Sequence, residues 1–243
     1  MKPKEISREM LQRRASRWHN PDASGRTYYL SPGQSPPREA KLPEDILAAV
    51  NGSETGAVLF WSLAESHLVL PPFSVEAATT YSGWNTGPLH SLLYRPRSAL
   101  VLLLRLGRYS MGVFEGDRLV QSKTGTRFVK GRHRKGGSSS ARFARHREGQ
   151  ARALFDKACE LLGEQVESYP GRPDHFFLGG DRLTLVAFEK RCPYLERLSS
   201  IRLHRILRVG EPSLKVLQAV PREIYMSHLY SFGPEAGGFP ARG

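Results

Sequence analysis

Residues 99–123 read ALVLLLRLGRYSMGVFEGDRLVQSK. The stretch contains three strand-like runs, at 99–106, 109–115 and 118–123, separated by the dipeptides Gly-Arg and Gly-Asp. Glycine-containing dipeptides between apolar runs are suited to tight hairpin turns. The pattern therefore predicts an antiparallel meander of three strands.

A strongly basic stretch follows directly, at residues 123–152, and reads KTGTRFVKGRHRKGGSSSARFARHREGQAR. It holds ten Lys or Arg against one acid, Glu148, and so supplies nine of the thirteen net positive charges of the chain. Its centre is Gly136-Gly137-Ser138-Ser139-Ser140, where small side chains let the main chain come close to a partner. Flanking cations attract phosphate. This stretch predicts a projecting loop that binds RNA.

Composition supports a globular, nucleic-acid-binding protein. The chain has 243 residues, of which 40% are hydrophobic, and this is enough to form a buried core. An isoelectric point near 10.1 with the charge concentrated in one stretch favours a nucleic-acid partner. The alternative is a basic face that is merely solvated.

The cysteines and the N-terminus bear on the compartment. Cys159 and Cys192 lie in no CxxC motif and beside no histidine pair, so neither a disulfide framework nor a metal site is predicted. The N-terminus lacks an apolar signal region, and the apolar run 99–104 is far too short to span a bilayer. We therefore expect a soluble protein in the reducing cytoplasm, with no membrane partner.

The basic stretch leads into a long predicted helix, from about Ser140 to Gln165, whose apolar residues follow helical spacing. Beyond it we predict strands at 176–178 and 200–207, a helix at 183–191, and a last helix at 212–230 kinked at Pro221. The fold class expected is α+β, with a mixed sheet and packed helices.

Four regions are predicted along the chain. They are an N-terminal helix and Pro/Gly-rich connector (1–42), a small lobe with a helix at 44–50 and a hairpin of 57–61 with 67–70 (43–98), the RNA-binding domain (99–232), and a disordered tail (233–243). Within the second region, residues 73–98 show little periodicity and are interpreted as a link.

The order of elements resembles the middle domain of the eukaryotic and archaeal class-one peptide-chain release factors, whose signature is a Gly-Gly-Gln loop. More closely, residues 134–140 (RKGGSSS), with Arg142-Phe143 and residues 145–150 behind them, resemble the bacterial branch, actinobacterial and chloroflexi, of the Vms-like release factors. The likeness spans roughly residues 43–232. It implies an RNase H-like topology for the main domain.

The resemblance also implies a function. Members of this family resemble ribosome-rescue factors, which hydrolyse the ester that joins a stalled peptide to its tRNA. It implies as partners the large ribosomal subunit and peptidyl-tRNA, with the protein acting as a monomer. The catalytic candidates are Gly136, Gly137, Ser138, Ser139 and Ser140, and the RNA-binding candidates are Lys130, Arg132, His133, Arg134, Lys135, Arg142, Arg145 and Arg147. No cofactor or metal is implied.

The chain departs from its relatives in one respect, because related sequences carry a glutamine in this loop. The corresponding position is Ser138, Ser139 or Ser140, depending on the register, and the Arg142-Phe143 pair favours Ser140. A serine keeps the main-chain N–H and a small hydroxyl but lacks the reach of an amide. Two functions stay open: a peptidyl-tRNA hydrolase, and a non-catalytic factor that binds ribosomes or tRNA through the same loop.

Overall fold

The computed structural model describes residues 1–18, 25–127 and 139–233, with the main chain alone for residues 139–141, 143 and 144. The chain divides into two compact units. The first contains residues 1–95 and the segment that begins at residue 224, and the second contains residues 96–223.

The elements of the chain up to residue 95 are β1 (Lys4–Ile6), α1 (Arg8–Trp18), β2 (Arg26–Leu30), a 3₁₀ turn (Arg38–Ala40), α2 (Glu44–Asn51), β3 (Ala57–Trp61), β4 (Ser66–Leu70), β5 (Thr79–Ser82) and α3 (Gly87–Tyr94). The remaining elements are β6 (Ser98–Arg105), β7 (Arg108–Glu115), β8 (Arg118–Thr126), α4 (Ser139–Ser168), β9 (His175–Gly180), α5 (Arg182–Glu189), a 3₁₀ segment (Pro193–Ile201), β10 (Arg202–Leu207), α6 (Leu214–Gln218), α7 (Pro221–Ile224) and β11 (Ser227–Phe232).

The first unit is built on an antiparallel sheet with the strand order β1-β11-β4-β3-β2-β5. Apolar side chains cover both of its faces. One face packs Phe60 and Val69 against residues of α1 and α3, and the other packs Leu59 and Leu68 against α2. The hairpin predicted at 57–61 and 67–70 is confirmed as β3 and β4.

The second unit contains the predicted meander. Its sheet has the order β10-β9-β6-β7-β8, in which β7 is antiparallel to β6 and β8, while β9 and β10 run parallel to β6. Counted within the unit this is the order 5-4-1-2-3 with the second strand reversed. The α+β class and the RNase H-like topology are thereby confirmed.

The core of the second unit lies between this sheet and helix α4. Residues 100–104 of β6 are fully buried, as expected for a continuous apolar strand with neighbours on both sides. Helix α4 contributes Leu154, Phe155, Ala158 and Leu162, which recur at helical spacing on one face. The predicted long helix is therefore confirmed, with observed bounds Ser139–Ser168.

The C-terminal helix predicted at 212–230 is wrong. The segment forms α6 and α7, two short helices that flank Pro221, and then β11, which pairs with β4 and β1 of the first sheet. Apolar residues of β11 alternate in the sheet, with Leu229 and Tyr230 in the cores on its opposite faces. The RNA-binding domain expected at 99–232 therefore loses its last strand to the first unit.

Residues 73–98 are not a bare link, because they form β5 and α3 of the first unit. The N-terminal lobe is thus larger than expected, and its sheet also includes β1 and β2 from the predicted first region. Gly233 is the last described residue, so the tail predicted at 233–243 otherwise lies outside the described part of the chain. Within that part, no helix is long and apolar enough to cross a membrane.

The expectation that the cysteines form no bridge is also wrong, because Cys159 of α4 and Cys192 after α5 form a disulfide. Their Cα atoms lie 5.5 Å apart although 33 positions separate them along the chain. Beside the bond, Arg191 donates two hydrogen bonds to the Asp156 carboxylate, at 2.6 and 2.7 Å. Helix α4 is therefore joined to the segment after α5 by a covalent bond and a two-pronged ion pair.

We predict that reducing the disulfide lowers the free energy of unfolding. In the chain-entropy account, a cross-link between residues 33 positions apart contributes roughly 3–4 kcal/mol. Urea unfolding with and without a reductant measures the change. The variant with both Cys159→Ala and Cys192→Ala is the control and should not respond to the reductant. Equal unfolding midpoints for the unaltered chain in both conditions would contradict the prediction.

We also predict a loss of stability in mild acid that depends on His175. Burial, with help from the Arg97 charge, lowers the pKa of His175 from 6.5 to about 4. The unfolded chain therefore takes up the proton first, so stability is complete above pH 6.5 and declines towards pH 4. Because the ring is half-buried, solvent screening leaves roughly 1–2 kcal/mol of this effect.

Thermal unfolding between pH 7 and 4 tests this prediction, with His175→Asn as the comparison. The variant should lose less stability than the unaltered chain over that window. Parallel pH profiles for the two proteins would show that His175 does not contribute.

Candidate RNA-binding site

The structure describes part of the predicted site. Gly136, Gly137 and Ser138 lie outside the described residues, as do the cations at 130–135, which are Lys130, Arg132, His133, Arg134 and Lys135. Ser139 and Ser140 form the start of helix α4, and Arg142, Arg145 and Arg147 lie in its first turns. The predicted loop is therefore shorter than expected, since its last two serines are helical.

The loop also begins later than expected, because β8 continues to Thr126 instead of ending near residue 123. Arg127 then donates its main-chain N–H to the Gly107 carbonyl at 2.8 Å. Gly107 has a φ of +92°, in the region that favours glycine, and forms the turn between β6 and β7. Residue 127 is thus tied to the edge of the sheet.

Arg127 also determines where α4 leaves the sheet. Its guanidinium Nη1 donates to the main-chain carbonyl of Ala153 at 3.1 Å. Ala153 lies fourteen residues beyond Ser139, the first residue of the helix. At a rise of 1.5 Å per residue, the helix extends about 21 Å from that contact to its N-terminus. We call residues 139–152 of α4 the stalk.

The burial of side chains along α4 supports the same boundary between the stalk and the rest of the helix. From Leu154 onward α4 contributes repeatedly to the core, whereas none of the described side chains of the stalk is fully buried. A Cβ placed on Gly149 would meet no atom within 4 Å. The described side chains of the stalk are therefore largely open to solvent.

The side chains of the stalk are mainly cationic. Arg142, Arg145 and His146 are exposed and Arg147 is half-buried. Arg152 forms an ion pair with Glu148 at 3.6 Å, one helical turn away. Among the described side chains of the stalk, Glu148 is the sole acid, so most of the positive charge is not neutralised.

The helix dipole adds to this charge. A helix N-terminus carries a partial positive charge, and acidic residues in the first turn usually offset it. Helix α4 has no acidic residue in its first turn, and its N-terminal half carries arginines instead. The stalk therefore creates a positive potential that suits a polyanion such as RNA.

Two aspartates beside the strands of the second sheet have structural roles. Asp181 is the N-cap of α5 and accepts hydrogen bonds from the N–H and the hydroxyl of Thr184, at 2.9 and 2.6 Å. Asp174 accepts from the N–H and the hydroxyl of Ser98, at 2.7 and 2.9 Å. No cluster of His, Cys, Asp and Glu among the described residues could hold a metal ion.

Sequence reasoning missed the anchoring role of Arg127, which it counted as one loop cation among ten. The signal that could have revealed it is Thr124-Gly125-Thr126, which continues β8 up to the residue before Arg127. These residues lack the apolar alternation by which strands are recognised. Contact with a carbonyl 26 positions away cannot be read from either segment alone.

We predict that Gly149→Ala stabilises the stalk. Alanine is favoured over glycine in helices by about 0.8–1 kcal/mol, and here the added methyl group meets open space. Amide hydrogen exchange of residues 142–152 should therefore slow by roughly fourfold. Gly163→Ala in the same helix is the matched control, because its Cβ would lie 3.3 Å from the Tyr194 ring. Unchanged exchange in the Gly149 variant would show that the stalk is held by other contacts.

Comparison with known proteins gives one curated relative and two similar solved structures. Peptide chain release factor subunit 1 of Archaeoglobus fulgidus is 29% identical over 101 residues, which are 42% of this chain and 25% of the relative. The chain thus spans about a quarter of the length of that curated relative. Two solved structures are also similar. One is the archaeal translation termination factor aRF1, with 17% identity and a TM-score of 0.42 over 90% of this chain and 73% of that one. The other is an archaeal protein, with 18% identity and a TM-score of 0.36 over 88% of this chain and 70% of that one.

The family comparison is more extensive. The profile of the Actinobacteria/chloroflexi VLRF1 release factors matches residues 97–229, more than half of the chain. The match includes the whole meander, the basic stretch, the stalk and the parallel strands. The chain therefore belongs to the Actinobacteria/chloroflexi VLRF1 release factor family, whose members are factors related to translation termination.

Proposed function

We propose that this protein is a ribosome-associated factor that hydrolyses the ester of peptidyl-tRNA and so rescues stalled ribosomes. The partners are the large ribosomal subunit and peptidyl-tRNA, and the protein acts as a monomer in the cytoplasm. Membership of the release factor family supports the reaction class. The feature of this chain that supports it best is the cationic stalk, whose first residue, Ser139, lies about 21 Å along the helix from the Arg127–Ala153 contact and directly follows Gly136-Gly137-Ser138 in the sequence.

The stalk suits a reaction centre surrounded by RNA. A single helix is about 10–12 Å across with its side chains, so it can enter a passage that would exclude a folded domain. The exposed Arg142 and Arg145 then lie beside phosphates along that passage. Lys130, Arg132, His133, Arg134 and Lys135 of the loop, with Arg147, would add further phosphate contacts, and each contact makes binding more sensitive to salt.

The chemistry assigned to the loop is mainly main-chain chemistry. Ester hydrolysis requires a positioned water and hydrogen-bond donors where negative charge develops. Ser139 and Ser140 begin α4, and the first four N–H groups of a helix have no partner within it. Gly136 and Gly137 let the main chain approach the ester, and a hydroxyl of Ser138, Ser139 or Ser140 takes the place of the glutamine amide in holding the water.

A second candidate function follows from the missing glutamine. Residues 136–140 read GGSSS, so the amide that related sequences place in the loop is absent in every register. In this alternative the protein binds the ribosome or tRNA through the same cations and does not hydrolyse the ester. Both candidates require RNA binding, and they differ in peptide release alone.

A release assay on stalled ribosomal complexes with labelled peptidyl-tRNA separates the two candidates. We expect peptide release above the spontaneous rate, and a decrease on the order of 100-fold for Gly137→Val, because a β-branched residue obstructs the close approach of the main chain. Ribosome association should change little. Ser140→Gln, or Ser139→Gln in the other register, should preserve or raise the release rate by restoring an amide.

Binding controls complete the assay. Replacing Arg132, Arg134 and Lys135 by Ala should weaken ribosome association and flatten its dependence on salt, without affecting folding. If Gly137→Val and both glutamine variants leave a measurable release rate unchanged, the loop is not the catalytic element. If the unaltered protein binds and releases no peptide, the non-catalytic function replaces the proposed one.

A further inference from the structure

At one end of the second sheet, where the strands terminate, an arginine lies at or just beyond the terminus of every strand. Strands β6, β8, β9 and β10 end at this edge and β7 begins there, as their pairing requires. Five arginines occur at these ends or up to two residues beyond them, and all are exposed. We call them the arginine edge: Arg105, Arg108, Arg127, Arg182 and Arg208.

The strand register places these residues at nearly one level. Arg105 pairs with Arg108 across β6 and β7, and Arg108 pairs with Thr126, the residue before Arg127. On the other side, Leu104 pairs with Gly180, two residues before Arg182. With neighbouring strands about 4.8 Å apart, five strands form a row roughly 19 Å long.

The two ends of the sheet differ in charge balance. By the same criterion, one acid, Asp181, accompanies the five arginines among the described residues. The opposite end has three arginines and three acids: Arg97, Arg118, Arg202, Glu115, Asp117 and Asp174. The excess charge therefore lies at the edge from which the stalk extends.

Local contacts leave much of this charge available. Arg105 donates from Nη2 to the Val209 carbonyl at 3.0 Å, and Arg127 donates to the Ala153 carbonyl. A carbonyl orients a guanidinium without neutralising it, and each guanidinium keeps further N–H donors. Arg108 differs, because it pairs with Glu211 at 2.9 Å. The side chain of Arg182 forms no hydrogen bond or ion pair with any described residue.

We infer that the arginine edge is a second RNA-contacting surface, which binds the phosphate backbone of RNA beside the base of the stalk. Guanidinium groups recognise phosphate through two parallel N–H···O bonds, so a row of oriented arginines favours this ligand. The inference rests on the RNA binding proposed above and extends it from the stalk to the body of the second unit. Arg127 belongs to the arginine edge and its guanidinium contacts Ala153, the residue that follows the stalk, so the two surfaces adjoin.

Three variants of the full-length protein with equal loss of charge test this inference. The edge variant combines Arg105→Gln and Arg182→Gln, and the stalk variant combines Arg142→Gln and Arg145→Gln. The control combines Arg118→Gln, at the opposite end of the sheet, with Arg172→Gln, an exposed arginine three residues before β9 at that same end. The probes are salt-washed bacterial ribosomes and deacylated tRNA, which separate ribosomal RNA from tRNA as the source of phosphate. Affinity for each probe is measured from 50 to 200 mM salt.

We expect the edge variant to lower the log–log salt slope by about 1.4–1.8 for at least one probe, which corresponds to two lost phosphate contacts. Each contact accounts for about a threefold loss of affinity over this fourfold rise in salt. The control should match the unaltered protein. If the double variant folds poorly, Arg182→Gln alone provides the test, because it removes no side-chain contact with a described residue. It should lower the slope by about half as much.

The outcomes separate this inference from the proposed function. An edge variant that matches the control on both probes overturns the inference. If the stalk variant then still loses ribosome affinity, the proposed binding mode stands without the edge. A stalk variant with unchanged ribosome affinity overturns the proposed binding through the stalk. The arginine edge is then tested by the log–log salt slope of the edge variant alone.

Discussion

The free energy of removing charge from water determines where helix α4 can be buried. Its C-terminal half presents an apolar face to the sheet, while its N-terminal half carries arginines that could be buried only against matching acids. The change from one half to the other occurs at Ala153 and Leu154, where the Arg127 hydrogen bond marks the edge of the sheet. The stalk is therefore the part of the helix that cannot be buried in the core, and its first residue, Ser139, lies about 21 Å along the helix from the Arg127–Ala153 contact.

Periodicity and turn residues made much of the second unit predictable. The apolar run in β6, the Gly-Arg and Gly-Asp dipeptides on either side of β7 and the spacing of Leu154, Ala158 and Leu162 are local signals, and each gave the correct element. The helix predicted at 212–230 failed because β11 is short and its strand identity comes from pairing with β1 and β4, which lie far away in the chain. Tertiary pairing there overrides local propensity.

Features of the site that depend on strand register could not be predicted from the sequence. The five arginines of the edge are dispersed between positions 105 and 208 and look like ordinary surface cations until the strands are aligned. The basic stretch was recognisable because its cations are consecutive. The Cys159–Cys192 bond, like the arginine edge, could not be recognised in the sequence. Neither cysteine has a neighbouring signal, and the distance between their Cα atoms is set by the packing of α4 against the segment after α5.

The position of β11 has a consequence for the order in which the chain acquires structure during synthesis. This strand lies between β1 and β4, so until it emerges β4 has an unpaired edge and β1 lacks its described sheet neighbour. The second unit is continuous in sequence from residue 96 to 223 and all of its strands precede β11. A nascent chain can therefore complete the second unit while the first sheet still exposes backbone donors and acceptors, and such open edges are the sites where incomplete sheets associate with other chains.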